Sequence, residues 1–126
     1  MDTRTVVERY YEAANAGDWD AWCDLFAPEQ VTDEQLAGHI EGRERLREMM
    51  RGFPDMYASF RNQPRHIVVD GDQAAVISRI EAVTPGGDHI GADVANYFRI
   101  VGGRITYLAN FHDTAPFRVV SPDAAG

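Results

Sequence analysis

The sequence predicts an α+β fold in which helices come first and an antiparallel sheet follows. Three observations carry this. Apolar residues recur at helical spacing through the first part of the chain, and beyond Phe60 the signal changes to runs rich in Val, Ile, Tyr and Phe separated by Gly-containing turns. The composition, 44% hydrophobic and 25% charged over 126 residues, is that of a chain with one packed core and no room for a second domain.

Val7, Tyr10, Tyr11 and Ala14 fall at i, i+3, i+4 and i+7, Thr5 with Glu8 fits a capping box, and Gly17 ends this first helix. Asp18 caps a second, short helix carrying Trp19, Trp22, Cys23 and Phe26, stopped by Pro28. Val31 to His39 reads as a short extended segment. A third helix runs from Gly42 to Phe53 with Leu46, Met49, Met50 and Phe53 on one side, and Pro54 breaks it and starts a further turn bearing Tyr57. Turns at Asp70-Gly71-Asp72, Pro85-Gly86-Gly87-Asp88 and Gly102-Gly103 then divide four strands of an antiparallel meander. Residues 1–120 make the domain, and 121–126, with little to bury, form a disordered tail. The strand over 73–84 has two largely apolar faces, with Ala75, Ile77 and Val83 on one and Val76, Ile80 and Ala82 on the other. Helices cover one face, so a homodimer is expected to cover the other.

The net charge of -8 argues against nucleic acid and anionic lipid as partners. The arginines at 43, 45, 47 and 51 alternate with Glu44 and Glu48, which reads as a solvated helix face. A single cysteine, Cys23, excludes an internal disulfide and suits a buried structural thiol. Charged residues throughout 1–17 leave no signal peptide, and no stretch reaches transmembrane length, so a cytoplasmic location is expected. His39, His66 and His89 lack metal-ligand spacing and the glycine pairs sit in hairpins, so neither a metal nor a cofactor is expected.

The string from Arg9 through Tyr10-Tyr11-Glu12-Ala13-Ala14-Asn15-Ala16 to Gly17-Asp18, followed by this element order, resembles the nuclear-transport-factor-two-like superfamily, which includes ketosteroid isomerases, limonene epoxide hydrolases and SnoaL-like polyketide cyclases. The likeness runs from about Thr5 to Phe117. It implies a cone-shaped α+β barrel, with three N-terminal helices packed on a curved, mixed, mostly antiparallel sheet around a pocket for a small apolar molecule.

By resemblance to the isomerases, Tyr10 falls at the oxyanion-hole tyrosine, Asp33 at the general base and Asp93 at a second, protonated donor. A carboxylate in an apolar pocket becomes a useful base near neutral pH, and a buried tyrosine can donate to a developing enolate. The bland readings are a core tyrosine for Tyr10 and a solvated loop acid for Asp33. Whether Asp93 or Asn96 points inward depends on the turn. A two-residue Gly102-Gly103 loop places Asp93 opposite His112, whereas a three-residue loop with a bulged Gly103 turns Val94, Asn96 and Phe98 toward the face of Leu108, Asn110 and His112. Arg79 and Glu81 resemble the Arg-x-Asp of limonene epoxide hydrolases and Asn110 takes the place of their second aspartate, but an amide cannot move a full proton unless Asp33 substitutes. The alternative for Arg79 and Glu81 is a cross-strand ion-pair network at a dimer interface. His112 is either an acid or base or an aromatic wall bonded to Asp113 or to backbone.

The resulting expectation is a cofactor-independent isomerase, cyclase or hydratase acting on a hydrophobic polyketide or terpenoid. Asp33 is its base, Tyr10 with Asp93 or Asn96 its donors, His112 a second acid or base, and Trp22, Phe26, Met49, Phe53 and Tyr57 its apolar wall. An epoxide hydrolase or epoxide-opening cyclase, with Asp33 and Glu81 converging on one water, and a non-catalytic dimeric ligand-binding module are the alternatives.

Overall fold

The computed structural model describes residues 1–120; the tail expected to be disordered, 121–126, lies outside the described residues. Helix α1 spans Thr3–Ala16 and α2 spans Trp19–Asp24. The cap of α1 is Asp2, whose carboxylate accepts the Thr5 N–H, rather than the expected Thr5 and Glu8 box. Gly17 closes α1 in the left-handed conformation and Asp18 caps α2 through the Ala21 N–H. The buried stripe of α1, Val6, Val7, Tyr10, Tyr11 and Ala14, is the one its spacing predicts. Cys23 is buried, and burial pushes its thiol up, as an inert core residue requires.

Strand β1, Phe26–Glu34, begins earlier than expected. Phe26 and Pro28 belong to it and not to α2. It pairs antiparallel with β2, Gly38–Glu41, and parallel with β6, the last strand. Helix α3, Arg43–Met50, follows, and Pro54 sits in the first turn of α4, Phe53–Met56. Arg47 reaches Asp24 at 2.9 Å and ties α3 to α2. The meander consists of β3, Ser59–Asp70, β4, Gln73–Val83, β5, His89–Val101, and β6, Arg104–Phe111, before a short 3-10 turn over Ala115–Phe117. The sheet order is β2-β1-β6-β5-β4-β3, so the sheet is mixed, with one parallel pairing and two free edges, and it does not close. No helix among the described residues is long and apolar enough to cross a membrane.

The β5–β6 register decides which residues enter the site. Gly102 and Gly103 both have positive φ, 59° and 77°, the backbone of a two-residue hairpin turn. Val101 faces Arg104 and Ile100 faces Ile105, yet Arg99 faces Tyr107, so Thr106 is an extra residue on β6. That bulge shifts all later pairs by one and sets Asn96 opposite Asn110. The short loop of one expectation is thus combined with the inward set of the other, and Asp93 points outward.

The outer face of β4 is apolar at its two ends, at Ala75 and Ile77 and again at Val83, and charged between them. Ala75 and Ile77 give way to Arg79 and Glu81, whereas Ala74, Val76, Ser78, Ile80 and Ala82 are buried inside.

Candidate active site

A hollow of about 350 Å³ lies between the inner face of the sheet and the helices. Trp22, Met49, Phe53 and Tyr57 line it. Phe26 is packed beneath them in the core, in ring contact with Trp22 at 4.7 Å between centroids. Against this apolar wall stand a few polar groups, of which Glu34, Asn110 and His112 come from neighbouring strand ends.

From Gln30 onward the even-numbered residues of β1 turn inward. Gln30 and Thr32 are buried and bonded to each other at 2.5 Å, and Gln30 also donates to the Gly42 carbonyl at 3.0 Å. Glu34 comes next on that face, opposite Asn110 of β6 across the parallel pairing. Its Oε2 accepts the backbone N–H groups of Leu36 and Ala37 at 2.9 and 2.7 Å. Its Oε1 lies 2.7 Å from Nε2 of His112, whose side chain is only 3% exposed.

The protonation of His112 follows from its partners. The carbonyl of Asp113, 2.8 Å from Nδ1, can only accept, so Nδ1 carries a hydrogen. Burial disfavours the imidazolium, but the Glu34 carboxylate and the Asp113 carbonyl outweigh it and His112 titrates above its ordinary value.

Tyr10 also lines the hollow. Burial pushes its hydroxyl up to about 12, with Glu34 near enough to add to the shift, so the phenol keeps its proton at neutral pH. Asn110 donates to the Tyr10 oxygen at 3.4 Å, which leaves the hydroxyl hydrogen available.

Several expected residues stand elsewhere. Asp33 points to the opposite face, where it accepts from Tyr107 at 2.6 Å and from His39 at 2.6 Å. Those hydrogen bonds, Tyr107's first, hold its carboxyl below the usual range, and it does not line the hollow. The correction is one of strand alternation: a single step along β1 exchanges Asp33 for Glu34. Asp93 is exposed, 3.4 Å from Arg79, and Arg79 binds Glu81 at 2.9 Å, so all three form a network on the outer face and none lines the hollow. The convergence of Asp33 and Glu81 on one water does not occur. Asn96 does face inward, but its amide donates to Val76, Ser78 and Val94 within the sheet and stays out of the lining.

Glu34 escaped the sequence reading because the inward face of β1 is polar. The resemblance to the isomerases placed the base at Asp33, and no apolar alternation on β1 marks its next residue, Glu34, as the inward one. The signal that points to Glu34 is the buried alternation of Gln30 and Thr32, visible only once their partners are known.

A family model described as a SnoaL-like domain matches residues 7–108. The chain belongs to the SnoaL-like domain family. A search of curated proteins found no match. Among solved structures, this SnoaL-like domain resembles a nuclear-transport-factor-two-like protein of unknown function from Burkholderia pseudomallei, with TM-score 0.85, 18% identity and coverage of 95% of this chain and 97% of that one. It also resembles a candidate polyketide cyclase from Pseudomonas putida, with TM-score 0.79, 22% identity and coverage of 95% and 98%. A protein of ketosteroid isomerase-like fold from Catenulispora acidiphila, in complex with trimethylamine, matches with TM-score 0.81, 17% identity and coverage of 93% and 92%. At these identities the likeness carries the fold.

Proposed function

We propose that the SnoaL-like domain catalyses cofactor-independent proton transfer on a small hydrophobic carbonyl compound, as an isomerase or cyclase, with Glu34 as base. The observation that carries this is the Glu34 and His112 pair at 2.7 Å at the end of an otherwise apolar hollow.

In the reaction the Glu34 carboxylate takes a proton from the carbon beside the substrate carbonyl. The C–H electron pair moves into the carbonyl system as an enolate, and the Tyr10 hydroxyl donates a hydrogen bond to its oxygen. Return of the proton from Glu34 to another carbon gives isomerisation, and attack of the enolate on a second carbonyl of the same molecule, whose oxygen becomes an alkoxide and takes the proton back from Glu34, gives cyclisation. The backbone N–H groups of Leu36 and Ala37 and the His112 imidazolium hold the carboxylate in place without being consumed. The apolar wall keeps water from quenching the enolate.

Polar content favours this over a passive binding module. A hollow meant only to hold an apolar ligand has no use for a carboxylate, an imidazole and an amide in its lining. The test is deuterium uptake from D₂O at the carbon beside the carbonyl of bicyclic ketones and linear diketones, followed by NMR. Uptake in the wild type that Glu34→Gln abolishes supports the reading; uptake unchanged in that variant refutes it. A homodimer through the outer face remains part of the proposal. Its support is the row formed by Ile77, Ala95 and Phe111 across three strands, with Ile77 46% and Phe111 51% exposed, and light scattering at micromolar concentration tests it.

A further inference from the structure

A second polar group lines the hollow on the strand farthest from Glu34. Asn62 sits on the inner face of β3, opposite Ile80, and is 7% exposed. Its main chain is clamped to α1, because Asn15 Oδ1 accepts the Asn62 N–H at 2.7 Å and Asn15 Nδ2 donates to the Asn62 carbonyl at 3.0 Å. Among the described residues, the hydrogen bonds of Asn62 all run through this main chain, and its Oδ1 is buried without a partner. A side-chain amide left unmatched in an apolar wall costs about 1–3 kcal/mol, far more than a leucine in the same place.

The position of Asn62 gives that unmatched amide a meaning. Three strand spacings, about 14 Å measured along the curved sheet, separate β3 from β6, which carries Asn110 and is followed by His112. The hollow therefore has polar groups at two separated places along the inner face of the sheet, and aromatic and aliphatic side chains make up most of the rest of its lining.

Resting on the proposed function for which end reacts, we infer that Asn62 is a specificity residue that binds a second oxygen substituent, a hydroxyl, at the end of the substrate remote from the reacting carbonyl. A hydroxyl both donates and accepts, so it satisfies either edge of the amide. The substrate class is then narrower than an apolar ketone: a ring system with an enolisable carbonyl at one end and a hydroxyl, phenolic or enolic, at the other.

The test is a matched pair of probes, β-tetralone and β-tetralone bearing a phenolic hydroxyl on its aromatic ring, titrated by calorimetry. Burying a hydroxyl with no partner is unfavourable, so a wild-type preference for the hydroxylated ketone requires a waiting group. The expected preference is about tenfold, with the sign reversed in Asn62→Leu. Asn62→Ser, smaller than the native residue and free to fold around the same main-chain clamp, loses the preference as well; thermal melts verify both variants. Equal affinities, tighter binding of the unsubstituted ketone, no binding of either, or a preference that survives both substitutions overturns the inference. Deuterium uptake in the same samples separates the two claims. A hydroxyl preference without uptake refutes Glu34 as base and leaves Asn62 standing, whereas uptake without preference does the reverse.

Discussion

Strand β1 presents the same chemistry twice, on opposite faces. Glu34 meets His112 at 2.7 Å on the inside, and one residue earlier Asp33 meets His39 at 2.6 Å on the outside. Both imidazoles titrate above their ordinary value. Burial is what differs, with side-chain exposures of 3% for His112 and 56% for His39. Outside, water and salt compete for each charge; inside, the apolar wall shields His112, and the pair lies beside the Tyr10 hydroxyl and the hollow. A carboxylate and an imidazole in contact are thus a site only where the fold has removed the solvent.

The largest test of this contrast is catalytic. Glu34→Gln is expected to lower deuterium uptake by about 10²-fold or more, while Asp33→Asn stays within about twofold of wild type. The reverse result would return the base to the outer face. The two tyrosines repeat the comparison one step down. Tyr10→Phe is expected to cost about 10–10²-fold in uptake, and Tyr107→Phe, which removes only a partner of Asp33, nothing measurable.

Titration sharpens the comparison further. The raised values of both histidines should appear by NMR, but added salt should move His39 toward an ordinary imidazole and leave His112 nearly unchanged. Because the folded value of His112 is raised, the stability it contributes is complete below its unfolded value and is lost as pH rises through the folded one. The difference in melting temperature between wild type and His112→Asn should therefore narrow over that window; a constant difference would mean that the imidazolium is not what stabilises. The smallest effect belongs to Asp33→Asn, which should lower the titration of His39 toward that of an ordinary imidazole, with Glu41 still beside it, while the melting temperature stays close to that of wild type.

Much of the scaffold was legible because it depends on local rules. The α1 stripe, the Gly17 stop, the three glycine turns and the four-strand meander follow from periodicity and backbone conformation. The start of β1 was not, since Phe26 continues the aromatic spacing of α2 and only its pairing beside Ile105 makes it a strand residue. Tyr10, Asn110 and His112 line the hollow, as helical spacing on α1 and the alternation running from β6 into the residue after it led one to expect. Between Asp93 and Asn96 the sequence left the inward residue open, and a bulge at Thr106 that no residue preference announces decided for Asn96. Asn62 gave no sign, being a polar residue in a run whose neighbours, Arg61 and Gln63, are polar too.

By itself the sequence determined the order of elements, the face of α1 that is buried and the family to which the chain belongs, because these rest on spacing within one segment. Only the tertiary structure decided that Glu34 and not Asp33 enters the hollow, and that Asn62 lines it from β3. The reason is that a strand shows two faces of equal standing, and which one becomes the interior depends on register with strands distant in the chain and on a single inserted residue.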